Sequence, residues 1–217
     1  MKTHFENEVK NLNRLMLAQA LAVESAVSNS LRAIADRNSE LAVDIISRDD
    51  IIDKGEVLLE EECLKVLALH QPVASDLRLI ITILKVNSEL ERIGDLAVNI
   101  AERALHIIDL TTPGEQPNFT EMNQAVLSML KRALDSFLTQ DCFLASQTID
   151  ADSEVDRMHR ENFLKTIELT QQNPSNAALY VDCLNVSRNL ERIADSCTNI
   201  SEDVLYFLQG KIVRHSR

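Results

Sequence analysis

The sequence predicts an all-α protein, built as a tandem of two similar three-helix bundles with six long helices. Three observations carry this. Glycine and proline number four each in 217 residues, too few turn formers for a many-stranded fold. Apolar residues recur at helical spacing over long stretches. The chain also repeats itself at a separation of 100 residues. A chain of this length buries about 70% of its unfolded surface, so its core needs no disulfide or metal staple.

The four prolines, Pro72, Pro113, Pro117 and Pro174, separate the periodic stretches. Two further breaks, at Asp36-Arg37-Asn38-Ser39 and Thr139-Gln140-Asp141, carry side chains that cap helix N-termini. The expected helices are 5–36, 39–70, 74–110, 119–139, 141–172 and 175–209, the third about 55 Å long at 1.5 Å per residue.

Leu90-Glu91-Arg92-Ile93-Gly94-Asp95 returns as Leu190-Glu191-Arg192-Ile193-Ala194-Asp195. Between 79–108 and 179–208, 12 of 30 positions are identical. The second and fifth helices match at an offset of 103, where Leu41-Ala42, Asp49 and Asp53 correspond to Leu144-Ala145, Asp152 and Asp156. The offset changes at the loop before the third helix of each half, where a length change is tolerated. The division falls at about Thr111–Asn118, giving repeats over 1–112 and 118–217. Each repeat has the seam a bundle needs: Leu79, Ile83, Val86, Leu90, Ile93, Ala97, Ala104 and Ile108 share one face of the third helix. The sixth repeats it with Leu179, Cys183, Val186, Leu190, Ile193, Cys197, Val204 and Leu208.

A second stripe, well around the third helix, begins with Leu77, Ile80, Ile81 and Leu84 and turns polar: Ser88, Glu91, Asp95, Asn99, Glu102. Glu91 and Asp95 are i,i+4 neighbours, a like-charge spacing that destabilises an isolated helix by about 0.2–0.5 kcal/mol. The second helix carries Asp49, Asp53, Glu56 and Glu60, the fifth Asp152 and Asp156, and the sixth Glu191, Asp195 and Glu202. Paired helices 8–10 Å apart would bring four carboxylates to one groove in each half. Such a cluster needs cations, solvent or raised pKa values. Hard oxygen donors without thiolates suit Mg, Ca, Mn or Fe better than structural zinc. An acidic helix face is ordinarily only solvated. Its repetition argues otherwise, although duplication by itself preserves some residues by descent. His159, three residues after Asp156, could join the second site, where the first half has Glu56. Arg92 and Arg192 read as partners of nearby carboxylates, and Gly94 as a place of close packing or ligand access.

The formal charge of −12 opposes nucleic acid and anionic lipid. Aromatics are few and tryptophan is absent, which removes stacking platforms for single strands. Cys63, Cys142, Cys183 and Cys197 lack Cys-x-x-Cys spacing and read as small core residues. The N-terminal residues lack the apolar stretch of a signal peptide, and no apolar run is long enough to span a bilayer, so a reduced, cytoplasmic protein is expected. No Glu-x-x-His, Gly-rich phosphate loop, Gly-x-Ser-x-Gly or His-Glu-x-x-His occurs, which favours binding or regulation over catalysis.

The run His70-Gln71-Pro72-Val73-Ala74-Ser75-Asp76-Leu77-Arg78, followed by Asn87-Ser88-Glu89-Leu90-Glu91-Arg92-Ile93-Gly94-Asp95 and the tandem Glu-Arg-Ile-x-Asp, resembles the PhoU family of phosphate-uptake regulators over nearly the whole chain. The resemblance implies two three-helix bundles with multinuclear metal clusters of iron or zinc, while Mn, Mg and Ca stay open. By resemblance one site is Asp49, Asp53, Glu91 and Asp95, and the other Asp152, Asp156, Glu191 and Asp195. Asn99, Glu102, His159, Asn199 and Glu202 are weaker candidates. It further implies a non-enzymatic adaptor between a phosphate transporter's ATP-binding subunit and a sensor histidine kinase, restraining the phosphate-starvation response. The membrane would be met only through these partners, and a homodimer is kept among the expected assemblies. The second half reads Gln172-Asn173-Pro174-Ser175-Asn176-Ala177-Ala178 in place of the Gln71–Arg78 segment. Asp76 and Arg78, at an exposed helix start by this reading, are therefore the expected partner-binding residues. Three rivals are an accessory protein of another phosphate transporter, a metal-dependent phosphohydrolase and a purely structural helical bundle that takes up no metal and binds no partner.

Overall fold

The structure is a computed structural model that describes residues 2–110 and 119–210. The expected division at 111–118, with Pro113 and Pro117, lies outside the described residues. The helices are α1 (Lys2–Ala35), α2 (Ser39–Ser47), α3 (Asp49–His70), α4 (Ala74–Asp109), α5 (Thr120–Thr139), α6 (Cys142–Gln172) and α7 (Ala177–Gln209), with a 3-10 turn at Pro174–Asn176 before α7. Among the described residues there is no strand, and no helix is long and apolar enough to cross a membrane.

α2 and α6 start as the sequence requires. The Asn38 carboxamide accepts from Leu41 N at 3.0 Å, and its counterpart Asp141 accepts from Phe143 N at 2.8 Å and Leu144 N at 3.3 Å. Each bond satisfies a backbone donor that the first helical turn leaves unpaired.

The continuous helix expected over 39–70 is broken. α2 ends at Ser47, whose hydroxyl donates to Asp44 O at 2.8 Å, and Arg48 leaves helical geometry while its Nε holds Asp44 at 2.8 Å. α3 then begins on Asp49 and Asp50, a carboxylate pair favoured at a helix N-terminus and disfavoured within one. In the second half Ala151 stands where Arg48 does, and α6 runs through unbroken.

α1, α2–α3 and α4 form one bundle and α5, α6 and α7 the other, joined chiefly by α4 against α7. Most of both expected seams is buried. Ile80, Leu96, Ile100 and Ala101 are buried as well, because α4 is covered by its own bundle on one side and by α7 on another. α4 and α7 run antiparallel: Lys85 Nζ meets Asp203 Oδ1 at 3.0 Å, Asn199 Nδ2 donates to Glu89 Oε1 at 3.1 Å, and Arg103 Nη1 meets Asp182 Oδ1 at 3.3 Å. This register sets residues 93–94 opposite 193–194, so the repeated Glu-Arg-Ile-x-Asp motifs sit where the central helices cross.

The carbonyls at the ends of the central helices are taken by arginines from elsewhere. Arg37 donates to Ile108 O at 2.7 Å, and Arg78 reaches Phe207 O at 3.5 Å. Arg78, expected to be exposed, is half-buried and lies at the end of α7, where a cation offsets the helix dipole. Asp76 is exposed in the first turn of α4. All four cysteines are free, and Cys63, Cys183 and Cys197 are buried. Burial pushes the thiols of Cys63 and Cys183 up to about 12, as fits core residues.

Candidate functional site

The first groove lies between α3 and α4. Asp49 and Asp53 are one turn apart on α3, and Glu91 and Asp95 one turn apart on α4. They interact: burial, then Asp53, Asp95 and Asp50, raise Asp49 above the usual carboxylate range. Burial, then Asp95, Glu56, Asp53 and Asp49, raise Glu91. Glu56 is raised by burial and by Glu60 and Asp53, so it extends the same acidic surface.

Gly94 lets the two helices approach. A Cβ there would lie 3.1 Å from both Cδ1 and Cγ2 of Ile52, tighter than ordinary contact. Close packing therefore explains this glycine. From α1, Gln19 Nε2 donates to Ile52 O of α3 at 2.8 Å. A Cβ on Gly55 would collide with the Gln19 amide oxygen, so this glycine leaves room for a buried tie from α1.

The second groove lies between α6 and α7. Asp195 is pushed up to about 6 by burial, then by Glu191, Asp152 and Asp156, with Arg92 acting against them from α4. Burial, Asp156 and Asp152 raise Glu191, opposed by Arg192 and Arg188. His159 stands beside this cluster, its Nδ1 2.9 Å from Ser187 Oγ. Burial and Arg188 hold its pKa down, with Asp156 opposing. Among the described residues, no three of these carboxylates bring oxygens within 4.8 Å of one another. The side chains converge on each groove while keeping their charges apart.

The two halves of the chain are matched separately by one family model. The PhoU domain model matches residues 16–104 and again 119–204. The chain belongs to the PhoU family. It is 36% identical over 215 residues to the phosphate-specific transport system accessory protein PhoU homolog of Pseudomonas aeruginosa, covering 97% of this chain and 88% of that one. It is 35% identical over 208 residues to the homolog from Aquifex aeolicus, covering 96% and 94%. The crystal structure of PhoU from Pseudomonas aeruginosa superposes with a TM-score of 0.91 at 34% identity, over 95% of this chain and 100% of that one. The phosphate transport system regulatory protein PhoU from Streptococcus pneumoniae gives 0.89 at 30%, over 96% and 99%.

The residues present fit the metal clusters that the PhoU resemblance implies. Asp49 Oδ1 is buried without a hydrogen-bond partner among the described residues, an acceptor that a cation would satisfy. Both grooves offer carboxylate oxygen, the donor of hard cations. Asp49, Asp53, Glu91 and Asp95 would hold metal in the first, and Asp152, Asp156, Glu191 and Asp195 in the second. The weaker candidates divide. Asn99 is exposed on α4, while Asn199 is turned to Glu89 at the bundle interface. Glu102 lies 3.8 Å from Arg103, and Glu202 is half-buried on α7. His159 is beside the PhoU groove, but its Nδ1 is engaged by Ser187. Sequence reasoning put Glu56 on the acidic face without counting it among the ligands, and read Arg92 as a carboxylate partner without its action across the bundle interface on Asp195. Glu56 carried a signal, its i,i+3 spacing from Asp53; the reach of Arg92 did not.

Proposed function

We propose that this chain is a non-enzymatic accessory regulator of a phosphate-specific transport system, working in the cytoplasm through protein contacts. The PhoU domain match over both halves carries the reading, since relatives covered over most of their length are named as accessory proteins of that system. The finer reading is an adaptor between the transporter's ATP-binding subunit and a sensor histidine kinase, restraining the starvation response when phosphate is plentiful. It is supported by the corner between α3 and α4. There Leu69, Val73 and Leu77 are 68%, 75% and 40% exposed, next to exposed Asp76. Apolar side chains grouped beside a charge suit a protein partner, and the second half has no Gln-Pro-Val-Ala-x-Asp-Leu-Arg segment there. The net charge would steer the chain to basic patches on a partner. Multivalent cations in the two grooves would neutralise the carboxylates and stiffen the α3–α4 and α6–α7 pairs.

The test is co-purification with the transporter ATPase and the sensor kinase from cells at high and low phosphate. Asp76→Arg and Val73→Asp should weaken one association and raise starvation-gene expression at high phosphate. Arg78 is left unchanged because it holds α7. Unaltered association and repression in the folded variants would overturn the docking corner. Failure of the parent to associate with either partner would overturn the adaptor.

A further inference from the structure

Away from both grooves, the start of α1 meets the end of α3. His4 and Glu8 are i,i+4 neighbours on one face of α1, with His4 Nδ1 3.7 Å from Glu8 Oε1. His70 is the last residue of α3. One ligand atom each from His4, Glu8 and His70 lie within 4.8 Å of one another, the only such set of three among the described residues.

His70 is held for this role. Phe5 packs edge-on against its ring with centroids 5.6 Å apart, and the His4 ring lies 5.8 Å away. His70 Nε2 is buried and has no hydrogen-bond partner among the described residues. A buried ring nitrogen without a partner is uncommon and costs free energy. A bound metal ion would remove that deficit.

We infer that His4, Glu8 and His70 form a site for a divalent late transition metal of the zinc class. Two imidazoles and one carboxylate are the donors such ions favour over Mg or Ca, and three protein ligands leave a position for water. The donor set differs from the all-oxygen grooves, so the two kinds of site select different ions. The site closes α1 onto α3 one residue before the turn that carries Gln71 (φ 45°) and Ala74 (φ 51°). Metal there would fix the corner from which α4 departs.

The test is zinc uptake by the full untagged chain, with cobalt as the optical probe, since a low-coordinate nitrogen-ligated cobalt site absorbs in the visible far more strongly than an octahedral oxygen site. His4→Ala and His70→Ala should each abolish the visible band. They should weaken one zinc equivalent by more than the roughly 10–100-fold that changes around a metal's ligands cause. The Asp95→Asn/Asp195→Asn variant should keep the band. His4 has a side chain 75% exposed, so its variant keeps the fold and decides the matter if His70→Ala does not. No visible band in the parent, or equal zinc binding by parent and His4→Ala, overturns the site.

Discussion

The two acidic grooves share their four carboxylates and differ in almost everything around them. In the first, Asp49 begins a new helix after the break at Arg48. Its neighbours Asp50, Glu56 and Glu60 are acidic, and no basic group opposes the rise in Asp49 or Glu91. In the second, Asp152 lies within unbroken α6. Arg92, Arg188 and Arg192 act against the carboxylates, and His159 replaces Glu56. The helix contact differs too. Gly94 against Ile52 in the first half becomes Ala194 and Val155 in the second, both fully buried. A methyl moves from one helix to the other and the packed volume is kept. Duplication has held the carboxylates and the spacing they need while the charge background of each groove was rewritten.

The largest expected effect tests whether the halves carry equal weight in the core. Leu90 and Leu190 are both fully buried beside the crossing of α4 and α7. Leu90→Ala and Leu190→Ala should each lower unfolding free energy by about 2–5 kcal/mol in urea titrations. A cost confined to one of them would show the bundles to be unequal.

Next comes metal affinity. The first groove lacks the opposing arginines, so it should bind Fe, Mn or Zn more tightly. Asp95→Asn should therefore lose more affinity in calorimetry than Asp195→Asn, by about tenfold or more, a difference of 1.4 kcal/mol. The His4 site is silenced by His4→Ala in both backgrounds. Equal losses would remove the electrostatic contrast, and no loss in either would leave the stripes as solvated faces.

The third effect is pH dependence without metal. Asp195 has its pKa raised from 3.8 to about 6, so the folded chain holds this proton more tightly than the unfolded one. Its contribution to stability is full below about 4 and is lost as pH rises through 6. Asp195→Asn should flatten the stability profile between these values and stabilise the metal-free protein at pH 7 by about 1 kcal/mol, the side chain being partly solvent-screened. A slope unchanged by Asp195→Asn would refute this. The smallest effect is steric. Gly94→Ala gains about 1 kcal/mol of helix propensity but crowds Ile52. Adding Ile52→Val should recreate the Ala–Val pairing of residue types that the other half carries, with a coupling of about 0.5–1 kcal/mol in a double-mutant cycle. Additive effects would mean that the two positions do not communicate.

Much of this was legible in the sequence. The periodic segments give the helices, and the repeated Glu-Arg-Ile-x-Asp marks the place where α4 and α7 cross. The break at Arg48 was hidden because the apolar pattern runs on across it, from Ile45 to Ile52, and only Ser47 and the Asp49-Asp50 pair betray it. The partial burial of Arg78 was hidden because Phe207 O, which its Nε reaches, lies 129 residues away. No local spacing records a side chain that closes another helix. His4, Glu8 and His70 meet for the same reason: the first two share a helix face, and the third arrives only through the packing of α1 on α3.

The ion pairs between α4 and α7 reach beyond stability. Arg103 and Asp203 are twins in the repeat, yet they carry opposite charges. A homodimer of one bundle could not do this, since an isologous interface shows the same residue on both sides. Here the covalent link frees each side to differ, and the difference enforces pairing order. Were two first halves from separate chains to dock in this register, Lys85 would face Arg103. Were two second halves to dock, Asp182 would face Asp203. Only a first half against a second gives Lys85 with Asp203 and Arg103 with Asp182. Like-charge contact thus disfavours pairing of two first halves or of two second halves, and each bundle is steered to one of the other kind as the chain folds.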